Sequence, residues 1–144
     1  MTIGKAAITG TGMSTIGRNT GRPAMDHLLE AAQQALAAAG LTRDDIDGIC
    51  TYPGKTDGSP GQSPLGTGEV RNALGLKTRW HSAVPDGPAQ MAPIMVAAMA
   101  VMTGQARHVL CFRALTESSS QSAGRRASIP GAGTPQIGGW LSWL

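Results

Sequence analysis

The sequence predicts one α/β domain in which a mixed β-sheet is covered by helices. Short apolar stretches typical of strands alternate with stretches that have helical periodicity, and this alternation favours layered α/β architecture. Glycine or proline stands at most of the changes between them. Apolar residues make up 41% and charged residues 15% of 144 residues, a composition typical of one globular domain rather than a disordered chain or a coiled coil.

Composition also excludes several classes of partner. The net charge is only +3, the basic residues are scattered apart from Arg125 and Arg126, and aromatic side chains are too few to stack nucleic-acid bases. The first ten residues lack the pattern of a secretion signal, and the longest apolar run, Met91–Met102, is too short to cross a bilayer. We therefore expect a cytoplasmic protein with no membrane span and no nucleic-acid partner.

Four strands are predicted, at residues 3–9, 46–52, 77–84 and 107–114, each short, apolar and followed by turn-forming residues. Cys50 and Cys111 fall in the second and the fourth of these strands. Neither belongs to a CxxC pair or to a histidine-rich ligand spacing. We expect two buried reduced thiols, with a disulfide or a metal site as the alternative.

Three helices are predicted between the strands. Residues 23–39 carry one apolar stripe, with Pro23 in the first turn and Gly40 as the C-terminal cap, so this helix should cover one face of the sheet. Residues 67–74 form a short helix before Gly75, and Thr42 with Asp45 predicts a capped turn. Residues 88–103 are apolar on all sides, which predicts a helix buried on most faces.

Residues 117–144 differ from the rest of the chain. They form a long polar stretch that ends in the apolar letters WLSWL, and a structureless loop of that length is unusual inside a compact domain. We therefore divide the chain into a domain at residues 1–116 and the start of a further region at 117–144. We expect that the fold is incomplete at this end.

Gly10 and Gly12 follow the first predicted strand, as in a dinucleotide-binding loop. The third glycine of that fingerprint would fall on Thr15, and the next helix opens only at Pro23, so no helix N-terminus lies directly behind the glycines. A structural loop is the favoured interpretation, and a nicotinamide or flavin site is the alternative.

The turn between residue 84 and the apolar helix is a candidate nucleophile position, because a strand, a sharp turn and a buried helix often present a nucleophile at the tip. The tip here is Asp86 followed by Gly87, neither of which is a thiol or a hydroxyl. Asp86 could act as a base, although aspartate before glycine commonly serves the turn itself. Ser82, the nearest hydroxyl, lies within the predicted strand.

The histidines and the arginine pair are weaker candidates. His27, His81 and His108 are far apart in sequence and have no neighbouring acidic or cysteine partner, so surface or packing roles are favoured over catalysis. No metal site is predicted. Arg125 and Arg126 could bind a phosphate-bearing ligand or mark a phosphorylation site at Ser128, with a solvated loop as the simpler interpretation.

Three segments together resemble the N-terminal half of the thiolase superfamily, most closely its sterol-carrier and lipid-transfer-protein branch. They are AAITGTGMSTIGRNTGRP, HLLEAAQQALAAAGLTRDDIDGICTYPG and AAMAVMTGQARHVLCFRALTESS. The match covers about residues 3–120 and rests on the order and spacing of the segments. It implies a thiolase-like layered fold that acts on acyl-CoA thioesters, with coenzyme A as part of the substrate and no separate cofactor.

The resemblance also implies roles for particular positions. The family's nucleophilic cysteine would fall near Gly87, where this sequence has no cysteine. Some lipid-transfer-type members act as aldolases on steroid side chains without it. Residues 117–139, with Arg125 and Arg126, would line the substrate site. The family's dimer interface would correspond to residues 77–84, including Trp80 and His81, and an OB-fold acyl-CoA-binding protein is a further partner.

Two hypotheses of different classes follow. The chain is the N-terminal portion of a lipid-transfer-type enzyme that transfers acyl groups or cleaves carbon–carbon bonds in acyl-CoA substrates. Alternatively, it is a non-catalytic, degenerate thiolase-like subunit that binds or scaffolds. By itself the chain should be silent in thiolysis, because it lacks the family's thiol and a second half.

Overall fold

The computed structural model describes residues 5–18, 20–55, 60–84 and 90–121. Three short strands and four α-helices alternate along this part of the chain, with one 3₁₀ turn at Arg43–Asp45. The elements are α1 (Ala24–Ala39), β1 (Gly48–Thr51), α2 (Thr67–Leu74), β2 (Trp80–Ala83), α3 (Met91–Met102), β3 (Val109–Phe112) and α4 (Glu117–Ser120). The predicted α/β class is confirmed.

The sheet has the strand order β2-β1-β3, and both pairs are parallel. Gly48 of β1 is in register with Trp80 on one side and with Val109 on the other. The prediction of a mixed sheet is therefore wrong for the described residues. Strand periodicity carries no information on strand direction, whereas helical crossovers between successive strands produce parallel pairs. All three strands are shorter than predicted, and β1 in the centre is wholly buried.

Helices cover both faces of the sheet. Ile49 and Leu110 are register partners and pack in one core cluster with Leu28 of α1 and Val70 of α2. The next residues along the strands, Cys50 and Cys111, point to the opposite face, because side chains alternate along a strand. On that face the Cys111 thiol lies 3.6 Å from the carbonyl oxygen of Pro93 in α3. The result is a three-layer arrangement, with α1 and α2 on one side and α3 on the other.

The helix predicted at residues 23–39 is confirmed as α1, and Pro23 precedes rather than joins it. Gly40 ends it with φ of 66°, a left-handed conformation that glycine adopts at little cost. Only Leu28 and Ala32 are fully buried, as one apolar stripe predicts. The capped turn is also confirmed, since the Thr42 amide and hydroxyl both donate to the Asp45 carboxylate at 2.8 Å.

Helix α3 corrects a prediction. Only one side of it is covered, through Ala92, Pro93, Ala97 and Ala100, and the methionines project from the other side. Their exposed fractions are 55% for Met91, 53% for Met95, 56% for Met99 and 36% for Met102. The prediction that this helix is buried on most faces is wrong for the described residues. Because α3 is apolar around its whole circumference, its sequence predicts a second packing partner, which the described residues do not include. Pro93 is accommodated because it lies in the first turn.

The N-terminal segment corrects another prediction. Residues 5–9 are not a strand, and they make no backbone–backbone hydrogen bond within the described residues, so the ladder that defines a strand is missing. Residues 1–4 lie outside the described part. The segment instead crosses the side of α1, where a Cβ on Gly10 or Gly12 would overlap the carbonyl oxygens of Ala35 and Ala31. These glycines face the flank of a helix rather than its N-terminus, contrary to dinucleotide-binding geometry.

The polar stretch after residue 116 begins with structure that the sequence did not predict. Residues Glu117–Ser120 form the single-turn helix α4, and the amides of Ser120 and Gln121 donate to Thr116 and Glu117. The helix is too short to show a periodicity in sequence. No helix within residues 5–18, 20–55, 60–84 and 90–121 is long and apolar enough to span a membrane.

Candidate functional site

The carboxyl ends of the three strands form the candidate site. Because β2, β1 and β3 are parallel, the residues that follow Ala83, Thr51 and Phe112 emerge at the same end of the sheet. Ligands of open α/β sheets bind outside this carboxyl end, where connecting loops leave the strands. The predicted turn at Asp86 and Gly87 lies outside the described part of the chain.

Tyr52 and Arg113 make the most distinctive contact at this end. The Arg113 guanidinium carbon lies 5.3 Å from the centre of the Tyr52 ring, in cation–π range. The Arg113 Nε is buried and has no hydrogen-bond partner within the described residues. Below them, the Thr51 hydroxyl is fully buried and donates to the Phe112 carbonyl at 2.9 Å, which joins the two strand ends. We call Thr51, Tyr52 and Arg113 the carboxyl-end site.

Loop contacts hold the neighbouring backbone in place. The Thr116 amide donates to the Gly61 carbonyl at 2.7 Å, and the Gln121 side-chain amide donates to the Pro60 carbonyl at 2.8 Å. Gly61 has φ of 77°, and a Cβ there would meet the Thr116 backbone at 2.6 Å. The loop before α2 and the start of α4 are thereby fixed beside the carboxyl-end site.

Both cysteines are placed where a reactive thiolate is disfavoured. Cys50 and Cys111 are neighbours across β1 and β3, and both are free thiols. Burial raises the pKa of Cys50, and burial, with a smaller contribution from Cys50, raises the pKa of Cys111 to about 12. Since the thiolate is the nucleophile, neither side chain is suited to attack a thioester at neutral pH. Cys50 is fully buried and Cys111 is half-buried, in agreement with the predicted reduced thiols.

A cavity of about 1030 Å³ runs along the outer edge of β3. One wall is formed by α1, including Leu28, Ala32 and Leu36, and the opposite wall by α3, including Ile94, Ala98 and Val101. All of β3 lines it, and residues 5–9 form its far side. Ser118 and Ser119 of α4 lie at its rim, so the cavity reaches the carboxyl end of the sheet.

The three histidines remain separate. His27 Nε2 lies 2.9 Å from the Thr20 hydroxyl, and its Nδ1 is buried without a partner in the described residues. His81 is exposed on the edge strand β2, and His108 precedes β3 at the amino end of the sheet. The described ranges contain no cluster of three metal-binding side chains.

Arg125 and Arg126, the predicted substrate-binding pair, lie outside the described residues. Sequence reasoning missed Tyr52 and Arg113, although a signal was available. Each immediately follows an observed strand, and the ends of parallel strands meet at one edge.

No protein-family profile matches this chain. Two characterised proteins do. The 17-hydroxy-3-oxo-4-pregnene-20-carboxyl-CoA lyase of Mycobacterium tuberculosis is 35% identical over 126 residues, which is 87% of this chain and 31% of the lyase. The steroid side-chain-cleaving aldolase of Thermomonospora curvata is 35% identical over 117 residues, or 81% of this chain and 28% of the aldolase. The relatives of this chain are therefore steroid side-chain-cleaving enzymes.

A solved structure supports the same relationship. A chain of the Ltp2-ChsH2(DUF35) aldolase superposes with a TM-score of 0.70 at 35% identity and covers 92% of this chain. Only 35% of that solved chain is matched. This chain thus spans about a third of the length of the proteins that it resembles.

Proposed function

We propose that this chain is part of an enzyme that cleaves a carbon–carbon bond in the side chain of a steroid acyl-CoA thioester by a retro-aldol reaction. The observation that carries the proposal is the 35% identity to the M. tuberculosis lyase over 126 residues. The structural match to a chain of 35% identity, at a TM-score of 0.70, supports it as well.

The chemistry follows from the compound in the lyase's name. A hydroxyl on C17 and a thioester on C20 make this compound a β-hydroxyacyl-CoA. A base removes the hydroxyl proton, the C17–C20 bond breaks, and its electron pair passes into the thioester as an enolate. Protonation of the enolate at its α-carbon leaves a 17-ketosteroid and propionyl-CoA. Atoms and electrons balance without an oxidant or a second substrate.

The protonation state of the two cysteine thiols is consistent with retro-aldol cleavage. Retro-aldol cleavage needs a base and enolate stabilisation but no covalent acyl-enzyme, whereas thiolysis needs a thiolate. Both cysteines of the chain are held protonated by burial. The missing cysteine near Gly87 is consistent with the same distinction. Thiolase-like acyl transfer is therefore the less favoured form of the proposal.

The carboxyl-end site supplies a candidate contact for the substrate. Arg113 is the described guanidinium at this end, and it carries an unpaired buried Nε. Guanidinium groups bind phosphate and carbonyl oxygens through paired N–H donors. We assign Arg113 to the phosphate or thioester part of the acyl-CoA, with Tyr52 orienting it. Arg125 and Arg126 stay predicted substrate contacts, and Asp86 stays a predicted base.

The non-catalytic alternative has one observation in its favour. The solved relative is named as an assembly of two proteins, and this chain corresponds to about a third of one of its chains. A thiolase-like scaffold or binding subunit would have such a partner. A homodimer through Trp80 and His81 of β2, and an OB-fold acyl-CoA-binding partner, remain proposals on the same basis.

A chimera tests the proposal. This chain would replace the matched third of the M. tuberculosis lyase. The substrate would be 17-hydroxy-3-oxo-4-pregnene-20-carboxyl-CoA, and release of propionyl-CoA would be followed by mass spectrometry. We expect release that survives Cys50→Ser with Cys111→Ser and falls about tenfold in Arg113→Met, the loss of about 1.4 kcal/mol that removal of a charged contact predicts.

Matched controls define the outcomes. Arg79→Met removes an arginine at the opposite end of the sheet and should leave release unchanged. A folded chimera that binds the thioester but releases no propionyl-CoA would favour the non-catalytic alternative. Release that stops when both cysteines are replaced would contradict the retro-aldol assignment.

A further inference from the structure

Thr51, the last residue of β1, is bonded to both neighbouring strands at their carboxyl ends. Its carbonyl oxygen accepts from the amide of Val84, directly after β2, at 3.0 Å. Its hydroxyl donates to the carbonyl of Phe112, the last residue of β3, at 2.9 Å. The register of β1 with β3 also ends at this pair of residues. One residue of the central strand therefore holds both of its neighbours where the carboxyl-end site begins.

Each of these two hydrogen bonds fixes a peptide plane from which one side chain of the carboxyl-end site departs. The Thr51 carbonyl and the Tyr52 amide belong to one planar peptide group, so the bond from Val84 holds the plane before Tyr52. The Phe112 carbonyl and the Arg113 amide form another such group, so the Thr51 hydroxyl holds the plane before Arg113. These two planes set where the ring and the guanidinium can meet.

The Thr51 side chain is suited to hold a fixed direction. It is fully buried, and the two heavy atoms on a threonine Cβ restrict its χ1 rotation. Burial alone does not give a threonine of this chain such a bond, since the buried Thr78 hydroxyl before β2 has no partner within the described residues. The bond from Thr51 is therefore a particular feature of the carboxyl end.

We propose that Thr51 is a positioning residue of the carboxyl-end site, because its hydroxyl holds the peptide from which Arg113 reaches over the Tyr52 ring. The Arg113 guanidinium carbon lies 5.3 Å from the ring centre. Cation–π attraction is significant only within about 6 Å of that centre. The guanidinium thus has little room to move before the contact is lost, and a small rotation of its preceding peptide is enough to lose it.

The consequence for substrate binding rests on the function proposed above, in which Arg113 contacts the phosphate or thioester part of an acyl-CoA. A guanidinium that is held in place before the ligand arrives loses less conformational freedom on binding. Removal of the Thr51 hydroxyl should therefore weaken substrate binding more than it slows the chemical step, and KM should rise with little change in kcat.

NMR of the Tyr52 ring tests the positioning role without any substrate, because Tyr52 is the only tyrosine of the chain. Thr51→Val removes the donor but keeps a similar shape, and Arg113→Met removes the guanidinium. We expect Thr51→Val to move the signals of the labelled ring toward those of Arg113→Met, and Thr51→Ser to keep the wild-type signals. Wild-type ring signals in folded Thr51→Val would overturn the proposal.

Thr78→Val is the matched control, because it makes the same exchange at a buried hydroxyl that has no partner in the described residues. It should leave the tyrosine signals unchanged. Thr51→Ala removes the hydroxyl without placing a methyl group there, has the same expected result as Thr51→Val, and replaces it if the valine variant does not fold. Equal changes in Thr78→Val and Thr51→Val would show that the bond to Phe112 is not the cause, and would overturn the proposal.

The chimera with the M. tuberculosis lyase gives a second measurement, which alone depends on the proposed function. We expect Thr51→Val to raise KM about fivefold, as the loss of one neutral hydrogen bond predicts. The double variant with Arg113→Met should equal Arg113→Met alone, since a positioning residue has no effect once the residue that it positions is gone. Additive losses would contradict the role of Thr51. A chimera that releases no propionyl-CoA would contradict the proposed function instead, and the tyrosine signals would still decide the positioning role.

Discussion

The two ends of the parallel sheet are built differently. At the amino ends, one carboxylate joins all three strands: Asp47 precedes β1 and accepts from the Arg107 and His108 amides at 2.8 and 3.0 Å and from the Arg79 Nε at 2.9 Å. Its carbonyl oxygen also accepts from the Arg79 and Trp80 amides. We call Asp47, Arg79, Arg107 and His108 the amino-end cluster.

At the carboxyl ends, one buried polar group has no partner within the described residues. Arg113 Nε is unpaired among the described residues, the Tyr52 ring face contacts its guanidinium, and Arg113 lines the cavity that runs along β3 from Arg107 and His108 to Thr116. The amino end ties the three strands together through one carboxylate, although the buried Thr78 hydroxyl before β2 has no partner in the described residues, and the carboxyl end leaves a guanidinium donor available for a ligand.

The electrostatics of Asp47 agree with a stabilising role. Burial alone would raise the pKa of Asp47, but hydrogen bonds from the His108 and Arg107 amides and the charge of Arg79 outweigh it, so the pKa is lowered. A lowered pKa means that the folded state favours the carboxylate. Its contribution is present above pH 4 and is lost as the pH falls through the folded-state pKa.

The largest effect is expected for Asp47→Ala. Removal of the carboxylate leaves two backbone amides and the Arg79 guanidinium without their acceptor, and hydrogen bonds to charged groups contribute about 1.5–3 kcal/mol each. We expect the free energy of unfolding to fall by roughly 3 kcal/mol in urea titrations. Asp44→Ala, a nearby exposed aspartate, is the control and should cost less than about 0.5 kcal/mol. Equal losses for the two variants would remove the basis of the comparison.

Alkaline pH should change the free energy of unfolding by a smaller amount, through the buried Cys111 thiol in the sheet. The thiol of Cys111 ionises near pH 9 when unfolded and near pH 12 when folded, so the unfolded state gains as pH rises between these values. We expect the free energy of unfolding to be lower at pH 10 than at pH 8, with Cys111 accounting for about 1.4 kcal/mol of the decrease. The Cys111→Ala variant should lack this part of the decrease.

Thiol modification gives an independent check on the same residues. Both cysteines should react slowly with a chromogenic disulfide reagent at pH 8 in the folded chain and fully after unfolding. A thiol that reacts rapidly in the folded protein would contradict the burial of Cys50 and Cys111, and would reopen the possibility of a cysteine nucleophile.

The smallest stability change is expected at the carboxyl end. Tyr52→Leu removes the cation–π contact with Arg113, which is worth about 0.5–1 kcal/mol at an accessible position. We expect thermal unfolding to change little, while binding of a steroid acyl-CoA thioester weakens measurably in titration calorimetry. A loss of stability as large as that of Asp47→Ala would show that this end is structural too.

Local signals explain which elements could be predicted from sequence. Helices α1 and α2 end at Gly40 and Gly75, both with positive φ, and such caps are visible in sequence. Strands β1, β2 and β3 were found because apolar runs between turn residues are also local. Their direction was missed, since crossover connections determine it rather than any residue within the strands.

Features that depend on a distant partner could not be predicted. The apolar pattern of α3 is the same whether Met95 and Met99 are covered or exposed, and only the structure shows that they are exposed among the described residues. Residues 5–9 have a strand sequence but no ladder partner among the residues that the structure describes. Tyr52 and Arg113 meet because β1 and β3 are neighbours; the sequence places each of them near a strand end but does not show that these two strands pair.

A residue-resolved titration tests the division between the two ends most directly. The ¹⁵N-labelled chain would be titrated with the thioester named in the M. tuberculosis lyase, and amide shifts would be followed by NMR. We expect shifts at Thr51, Tyr52 and Arg113, with Asp47, Gly48 and His108 unmoved. Shifts concentrated at the amino-end cluster would contradict it, and so would a titration in which no amide at the carboxyl-end site moves.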